Sequence, residues 1–410
     1  MQDEIKKATK NTSMMYLMNI AKMVFPLITL PYLTRVLSVD GYAIVAYVKA
    51  VMQYAQIALI FGFVLSATKD IVNARENKKL IGEITGGVLE AKGVLSIIVG
   101  IIIIVMALFI PILRENPLYT LLAFINIVIT EMLADFLFRG LDKMEVITIR
   151  FVVSKMLSTA LTFVFIKSDA DLLLVPIFDI LGSLLALFWV LKEIKKLGIQ
   201  IIPVKISRAI QMLKKSAIYF ASDMATTSFG ALNTVLVGIF MSRADVSYWS
   251  ICLQLVGAVQ SLYTPITNGI YPTMIRTKSF GFIKKITLLV MPVIIAGCVF
   301  CYFAAQYILL IIAGHQYIEA TVVFQALIPV LLFSFPAMLY GWPALGAINK
   351  ENQTSLTTIV TAVIQVIGLF VLIALNGFTL VNIAFLRGGT ELFMMLMRVA
   401  YCYKFRNEFN

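Results

Sequence analysis

The sequence is poor in charge: Asp, Glu, Lys and Arg make up 14% of its 410 residues, against about 25% in soluble globular proteins. Apolar residues make up 60% of the chain, and the mean hydropathy is +0.93. One soluble core cannot enclose that much apolar surface, and the apolar runs are continuous rather than alternating, which disfavours an outer-membrane barrel. The composition therefore predicts an all-α polytopic membrane protein. It excludes a soluble enzyme, a disordered chain and a protein with a single membrane anchor.

The sequence also has little of the chemistry that catalysis requires. It contains four cysteines and one histidine. The cysteines lie in apolar stretches and are typical of small core residues, while His315 lies in a short connection. There is no metal-ligand spacing, phosphate-binding glycine loop or nucleophile elbow in the sequence. We therefore expect no cofactor and no metal, with coupling to H+ or Na+ left open.

Long apolar runs, separated by short polar breaks, predict twelve membrane-spanning helices. They cover residues 12–36, 41–65, 84–111, 117–138, 146–167, 171–191, 216–240, 246–271, 286–312, 318–345, 353–375 and 379–403. The longest connection is strongly basic and divides these helices into two sets of six. We predict an N-lobe of residues 1–193, a basic cytoplasmic linker of residues 194–215 and a C-lobe of residues 216–410. Because six is even, both lobes enter the membrane in the same orientation.

The formal net charge is +12, and the distribution of the 34 Lys and Arg residues predicts the topology. With the N-terminus in the cytoplasm, and with residues close to a predicted helix end counted with the adjoining loop, 25 of them fall on the cytoplasmic side, 4 on the opposite side and 5 inside spans. Basic residues favour the cytoplasmic side of membrane proteins, so both termini are predicted to be cytoplasmic. This spread over the loops of one face also argues against a nucleic-acid partner.

Polar residues form stripes on four predicted helices, and such stripes face protein or water rather than lipid. Predicted helices 1 and 2 carry Lys22 and Lys49 on their stripes. Predicted helices 7 and 8, at the matching places of the second half, carry Asn233, Gln254 and Asn268. We predict that the four stripes line a central cavity. The alternative is that these side chains only join neighbouring helices.

Further charged residues lie deep in the predicted spans. Lys92 and Lys155 lie too far from the helix ends to reach the membrane surface comfortably. These lysines require carboxylates, water or an anionic ligand, and Glu131, Asp179 and Asp223 are the carboxylates that we consider for ion coupling. Structural pairing of the same lysines and carboxylates gives the same sequence pattern and stays open.

One such pair is predicted from local spacing. Arg387 and Glu391 are one helical turn apart and are expected to pair with each other.

Three segments carry a resemblance to a known family. Residues 25–37 read FPLITLPYLTRVL, residues 61–71 read FGFVLSATKDI, and a weaker likeness lies at Tyr271 and Pro272 with Arg276. These segments resemble bacterial polysaccharide flippases of the Wzx type. Their superfamily also contains the lipid II flippases and the multidrug and toxin extrusion transporters. Ser38 and Ala43 stand where the family often has Gly.

The resemblance implies a fold, a location and an activity. It implies two six-helix lobes of the kind found in the multidrug and toxin extrusion transporters, in the bacterial cytoplasmic membrane. It implies that an undecaprenyl-pyrophosphate-linked oligosaccharide moves from the cytoplasmic to the outer leaflet, with Arg35 and Arg276 at family positions. The partners implied are this lipid-linked oligosaccharide, membrane lipids, and a polysaccharide polymerase with its chain-length machinery.

Two other functions remain as alternatives at this point. A cation-coupled multidrug exporter on the same scaffold requires a cavity rich in carboxylates and aromatic rings, and the deep lysines disfavour it. A membrane-embedded polysaccharide-modifying enzyme requires placed acid-base or metal groups, often on a large outer loop, and the sequence has no such loop.

Overall fold

The computed structural model describes the backbone of residues 2–409 and the side chains of residues 10–205, 207–217, 219–220, 224 and 230–409. All regular elements in this part of the chain are helices. They are α1 (Gln2–Val36), α2 (Val39–Ile60), α3 (Phe63–Asn73), α4 (Lys78–Phe109), α5 (Pro111–Glu115), α6 (Pro117–Glu131), α7 (Asp135–Gly140), α8 (Met144–Phe165), α9 (Leu174–Lys196), α10 (Ile206–Phe240), α11 (Arg243–Ser261), α12 (Tyr263–Thr277), α13 (Phe280–Ile312), α14 (Thr321–Leu339), α15 (Glu351–Ala374) and α16 (Leu380–Lys404). The predicted all-α fold class is confirmed.

Each of the twelve predicted helices has a counterpart in the structure. Predicted helices 2, 4 and 8 are each interrupted, as α2–α3, α6–α7 and α11–α12. Ten helical segments of the described residues are long and apolar enough to cross a membrane. Among the described residues, α10 contributes a shorter apolar stretch, Gly230–Phe240.

Short polar residues fix where several helices begin. The side chains of Ser38, Asn77, Ser242, Ser279 and Thr379 each accept a hydrogen bond from a backbone N–H of the first helical turn. Such caps satisfy N–H groups that have no partner inside the helix. The helix starts are therefore encoded locally.

The break between α2 and α3 has a backbone cause. Phe61 and Gly62 both have a positive φ, 44° and 71°. A Cβ atom on Gly62 would also lie 2.4 Å from the Cβ of Tyr219 on α10. Glycine at this position therefore permits both the left-handed backbone and the close approach of α10.

The chain divides into two compact units, residues Met1–Thr227 and Ser228–Asn410. In the first unit α9 packs on α6 and α8, α1 packs on α8, and α3 packs on α7. The α3–α7 contact centres on buried Phe63, Ile71, Phe136 and Phe138. In the second unit α16 packs on α14 and α15, and α14 also contacts α11 and α13.

The basic connection between the two halves is an ordered part of the first unit. The helices α9 and α10 extend into it, so only residues 197–205 are non-helical. This segment lies against α4: the N–H of Ile202 donates to the carbonyl of Gly82 (3.2 Å), and the N–H of Val204 donates to the carboxylate of Glu90 (3.1 Å). Arg208 then pairs with Glu83 at 2.8 Å. The first turns of α10 therefore contact α4 within the first unit.

Candidate functional site

A lysine–carboxylate cluster lies between α2, α8 and α9 of the first unit. Lys155 and Ser158 are three residues apart on α8, so they share a face. Both donate to the same carboxylate oxygen of Asp179 on α9, at 2.7 and 2.8 Å. The charges of Lys155 and Asp179 also act on Lys49, which lies on α2. The structure therefore brings together three of the predicted residues, Lys49, Lys155 and Asp179.

Lys49 is the cation of this cluster without a direct carboxylate partner. Its side chain is exposed although its neighbours in sequence, Val48 and Ala50, are buried. No ion pair of Lys49 is found among the described side chains. One carboxylate therefore serves two ammonium groups, and the cluster keeps a positive charge that an anion can neutralise.

Lys92 has a different environment, because it is buried against Glu131. Its ammonium donates to the Glu131 carboxylate at 2.9 Å and to the Glu131 carbonyl at 2.8 Å. The other carboxylate oxygen accepts a hydrogen bond from the Gln56 side chain at 3.1 Å. Lys92 is only 4% exposed and Glu131 8%. These contacts satisfy the buried lysine within the protein, which is the structural pairing that the sequence left open.

Lys22 lies on α1 and is exposed. Its ammonium lies 5.7 Å from the ring centre of Phe151, a cation–π contact. The charges of Arg139, Arg150 and Glu131 act on it. Arg150 pairs with Asp135. The Nε of Arg139 is buried and has no hydrogen-bond partner among the described residues.

The sequence does not predict Arg139 and Arg150 as members of this group, because both lie near the predicted ends of helices. The structure places Arg139 on α7 and buries Arg150 on α8. The two groups around Lys22 and Lys49, with the Lys92 pair, contain six cations and only three carboxylates. The cations are Lys22, Lys49, Lys92, Arg139, Arg150 and Lys155, and the carboxylates are Glu131, Asp135 and Asp179. This part of the first unit is therefore electropositive.

Arg35 lies in the last turn of α1 and is exposed. The rest of its motif has a structural role. The hydroxyl of Tyr32 lies 2.8 and 2.7 Å from the carbonyls of Phe163 and Ile166, and Lys167 donates to Tyr32 at 3.1 Å. These hydrogen bonds fasten the end of α1 to the end of α8.

The predicted polar residues of the second unit divide into buried and exposed groups. Asn233 is 1% exposed, and its side-chain oxygen accepts a hydrogen bond from Gln365 at 3.1 Å. Gln254 is half-buried on α11, while Asn268 and Arg276 are exposed on α12. Asp223 lies in α10, but its side chain is outside the described residues.

The helix α16 of the second unit carries two arginines that bond to groups within the protein. Arg387 pairs with Glu391 at 3.8 Å, which confirms the predicted pair. Arg398 lies near the predicted end of its helix and is 7% exposed. It donates to the carbonyl of Ala337 at 2.7 Å and to Thr357 at 3.0 Å. Arg398 therefore joins α14, α15 and α16.

Comparisons with known proteins agree with this architecture. The profile of the family described as "Polysaccharide biosynthesis protein" matches residues 8–278. A putative O-antigen transporter of Shigella dysenteriae is 24% identical over 375 residues, which cover 90% of this chain and 93% of the relative.

Two solved structures share the fold. One is the lipid II flippase MurJ in an inward closed conformation, with a TM-score of 0.66 and 13% identity over 96% of this chain and 87% of that one. The other is an inward-facing multidrug resistance MATE family transporter of the MOP superfamily. Its TM-score is 0.63 at 12% identity, over 96% of this chain and 94% of that one.

Proposed function

Since the chain belongs to the polysaccharide biosynthesis protein family, we propose that this multi-pass membrane transporter is a flippase for a polysaccharide precursor. Its cargo is an undecaprenyl-pyrophosphate-linked oligosaccharide repeat unit, which moves from the cytoplasmic to the outer leaflet of the bacterial cytoplasmic membrane. The putative O-antigen transporter that covers most of the chain supports this class of cargo.

The observation that carries the proposal is the excess of cations in the spanning helices of the first unit. A pyrophosphate cannot cross hydrocarbon bare, because an unpaired charge in an apolar medium costs many kcal/mol. Lys22 and Lys49 are exposed and have no carboxylate partner among the described side chains. They can hold the pyrophosphate as point charges. The same excess of cations disfavours an exporter of organic cations.

The sugar requires a different chemistry, since its hydroxyls are neutral donors and acceptors. Gln254, Asn268 and Arg276 are at least partly exposed, so their polar groups are accessible to hydroxyls. Asn233 already bonds to Gln365, so it acts by holding that side chain.

Ion coupling is the remaining part of the proposal, and Asp179 is the first residue to test. Its carboxylate is part-exposed, at 29%, and bonds to Lys155, so water or an ion can reach it more readily than buried Glu131. We propose that H+ or Na+ acts on Asp179 and thereby alters the number of cations that are free for the pyrophosphate. Asp223 stays a second candidate.

The experiment measures surface polymer in a bacterial strain that lacks its own flippase, together with the membrane abundance of each variant. Lys49→Gln and Lys22→Gln are expected to reduce polymer at least tenfold at normal abundance, and Lys49→Arg to keep part of it. Lys49→Glu, Lys22→Glu and Arg35→Glu should reduce it further, because each places an anion beside the pyrophosphate. Asp179→Asn should abolish transport if Asp179 couples an ion.

Lys214→Gln is the matched control, since it removes one exposed lysine outside the charge cluster. It should leave polymer unchanged. Normal polymer from Lys22→Glu and Lys49→Glu at normal abundance would contradict the proposed recognition of pyrophosphate.

A further inference from the structure

The outer face of α9 carries an exposed apolar stripe that ends in lysine. Leu184, Phe188 and Leu191 are 45%, 69% and 50% exposed and recur at steps of four and three residues, so they share one face. Exposed apolar side chains on a membrane helix face lipid. Lys195 continues the same face one turn beyond Leu191. Lys195 therefore lies at the end of the apolar stripe, where a basic side chain beside a membrane helix can reach the headgroups.

Other cations gather at the same end of α9. Lys195 and Lys196 lie three and four residues after Lys192, and all three lysines are exposed. Lys78, at the start of α4, reaches the turn after α9: a Cβ atom on Gly198 would lie 3.3 Å from its ammonium. Glu193 pairs with Lys196, at 3.5 Å. No ion pair of Lys78, Lys192 or Lys195 is found among the described side chains, so this corner is strongly cationic.

A depression of about 360 Å³ opens beside Lys195. Its lining is mainly apolar and comprises Leu191, Ile194, Lys195, Gly198, Ile199, Gln200 and Ile201. The hydrogen bond from Ile202 to Gly82 fixes the segment that forms one wall. The depression therefore combines a held apolar wall with a cation at its edge.

We infer that this corner, formed by the depression with Lys78, Lys192 and Lys195, binds an anionic phospholipid of the adjacent leaflet. The lipid phosphate lies between Lys195 and Lys78. The part of an acyl chain nearest to the headgroup covers Leu191 and Phe188. Lysines next to a membrane helix attract anionic lipids through surface potential. The corner continues a lipid-facing stripe, and a membrane phospholipid is present there at far higher concentration than any carrier lipid. This inference does not depend on the proposed cargo.

The test is native mass spectrometry of the purified full-length protein in detergent. The protein is mixed with equal amounts of phosphatidylglycerol and phosphatidylcholine that have the same acyl chains. The wild type should retain phosphatidylglycerol preferentially. Lys78→Gln and Lys195→Gln should each weaken that retention about fivefold, while the paired Lys78→Arg and Lys195→Arg variant should keep it.

The control variant combines Lys285→Gln and Lys404→Gln, which removes two exposed lysines from the second unit. It should retain phosphatidylglycerol as the wild type does. Equal retention of both lipids by the wild type would overturn the inference. Full retention of phosphatidylglycerol by both single variants, Lys78→Gln and Lys195→Gln, would also overturn it. Displacement by inorganic phosphate or by an equal amount of undecaprenyl pyrophosphate would overturn it as well, since the ligand would then be a free anion or the cargo. Lipid retention is measured without any transport assay, so its result does not depend on whether the proposed function is correct.

Discussion

At the scale of single residues, the four lysines in the spanning helices of the first unit differ in their partners. Lys92 and Lys155 each bond to a carboxylate, at 2.9 and 2.7 Å. Lys22 and Lys49 have no ion pair among the described side chains. An ammonium that bonds to a carboxylate inside the protein has little charge left for a ligand, whereas the other two keep theirs. Similar residues in similar helices therefore have different electrostatic environments.

The Lys92–Glu131 pair gives a prediction about stability. Glu131→Gln leaves a buried ammonium without a counter-charge, which should cost about 3–5 kcal/mol and sharply reduce membrane abundance. Replacing both partners, as Lys92→Met with Glu131→Leu, should restore abundance because no charge is left buried. The measurement is abundance in membranes and the melting temperature of the purified protein.

The same variants also separate structure from ion coupling at Glu131. A double variant that is abundant and transports polymer assigns Glu131 to structure alone. One that is abundant but inactive assigns it to coupling. Normal abundance of the single Glu131→Gln variant would show that the pair does not stabilise the fold.

At the scale of elements, α4 and the segment that follows α9 are held together by close backbone contact. A Cβ atom on Gly86 would lie 2.0 Å from the carbonyl oxygen of Ile202, and one on Gly82 would lie 1.9 Å from that of Gln200. Glycines four residues apart therefore form a groove on α4 that receives an extended chain. This groove, and not linker flexibility, positions the basic connection.

Two glycines of α4 test that interpretation. Gly86→Ala must displace Ile202 and should destabilise the protein by about 1–3 kcal/mol. Gly93→Ala in the same helix is the control, because nothing lies within 4 Å of its Cβ position. It should stabilise α4 by up to about 1 kcal/mol, the usual gain in a helix interior. The measurement is the melting temperature of each purified variant. Equal shifts in melting temperature for the two variants would contradict the groove.

At the scale of the whole molecule, the basic residues predict orientation. The turn at residues 197–205 follows the basic end of α9, whereas the turn between α15 and α16 at Asn376 has no lysine or arginine. A net excess of Lys and Arg retains a loop in the cytoplasm. The two turns should therefore lie on opposite sides of the membrane.

Reporter fusions test this topology. A reporter that works only in the cytoplasm should be active after Lys196 or at Asn410 and inactive at Asn376. A reporter that works only outside the cytoplasm should give the reverse pattern. Cytoplasmic activity at Asn376 would overturn the twelve-span topology.

The twelve helices and their approximate ends could be predicted from the amino-acid sequence alone. Apolar runs and the spacing of Arg387 and Glu391 act over a few residues, so they can be read from the chain directly. The family motif at residues 25–37 can be identified for the same reason. The lysines deep in the predicted spans can also be identified from the sequence.

The packing of the helices sets which of those lysines pair with a carboxylate. Lys92 meets a carboxylate 39 residues away, and Lys155 meets one 24 residues away. Several carboxylates lie at comparable distances along the chain, and helix packing selects among them. Packing also buried Arg150 and Arg398, which lie near the predicted ends of their helices. Hydropathy records the average character of a segment, whereas ion pairs depend on which faces of different helices meet.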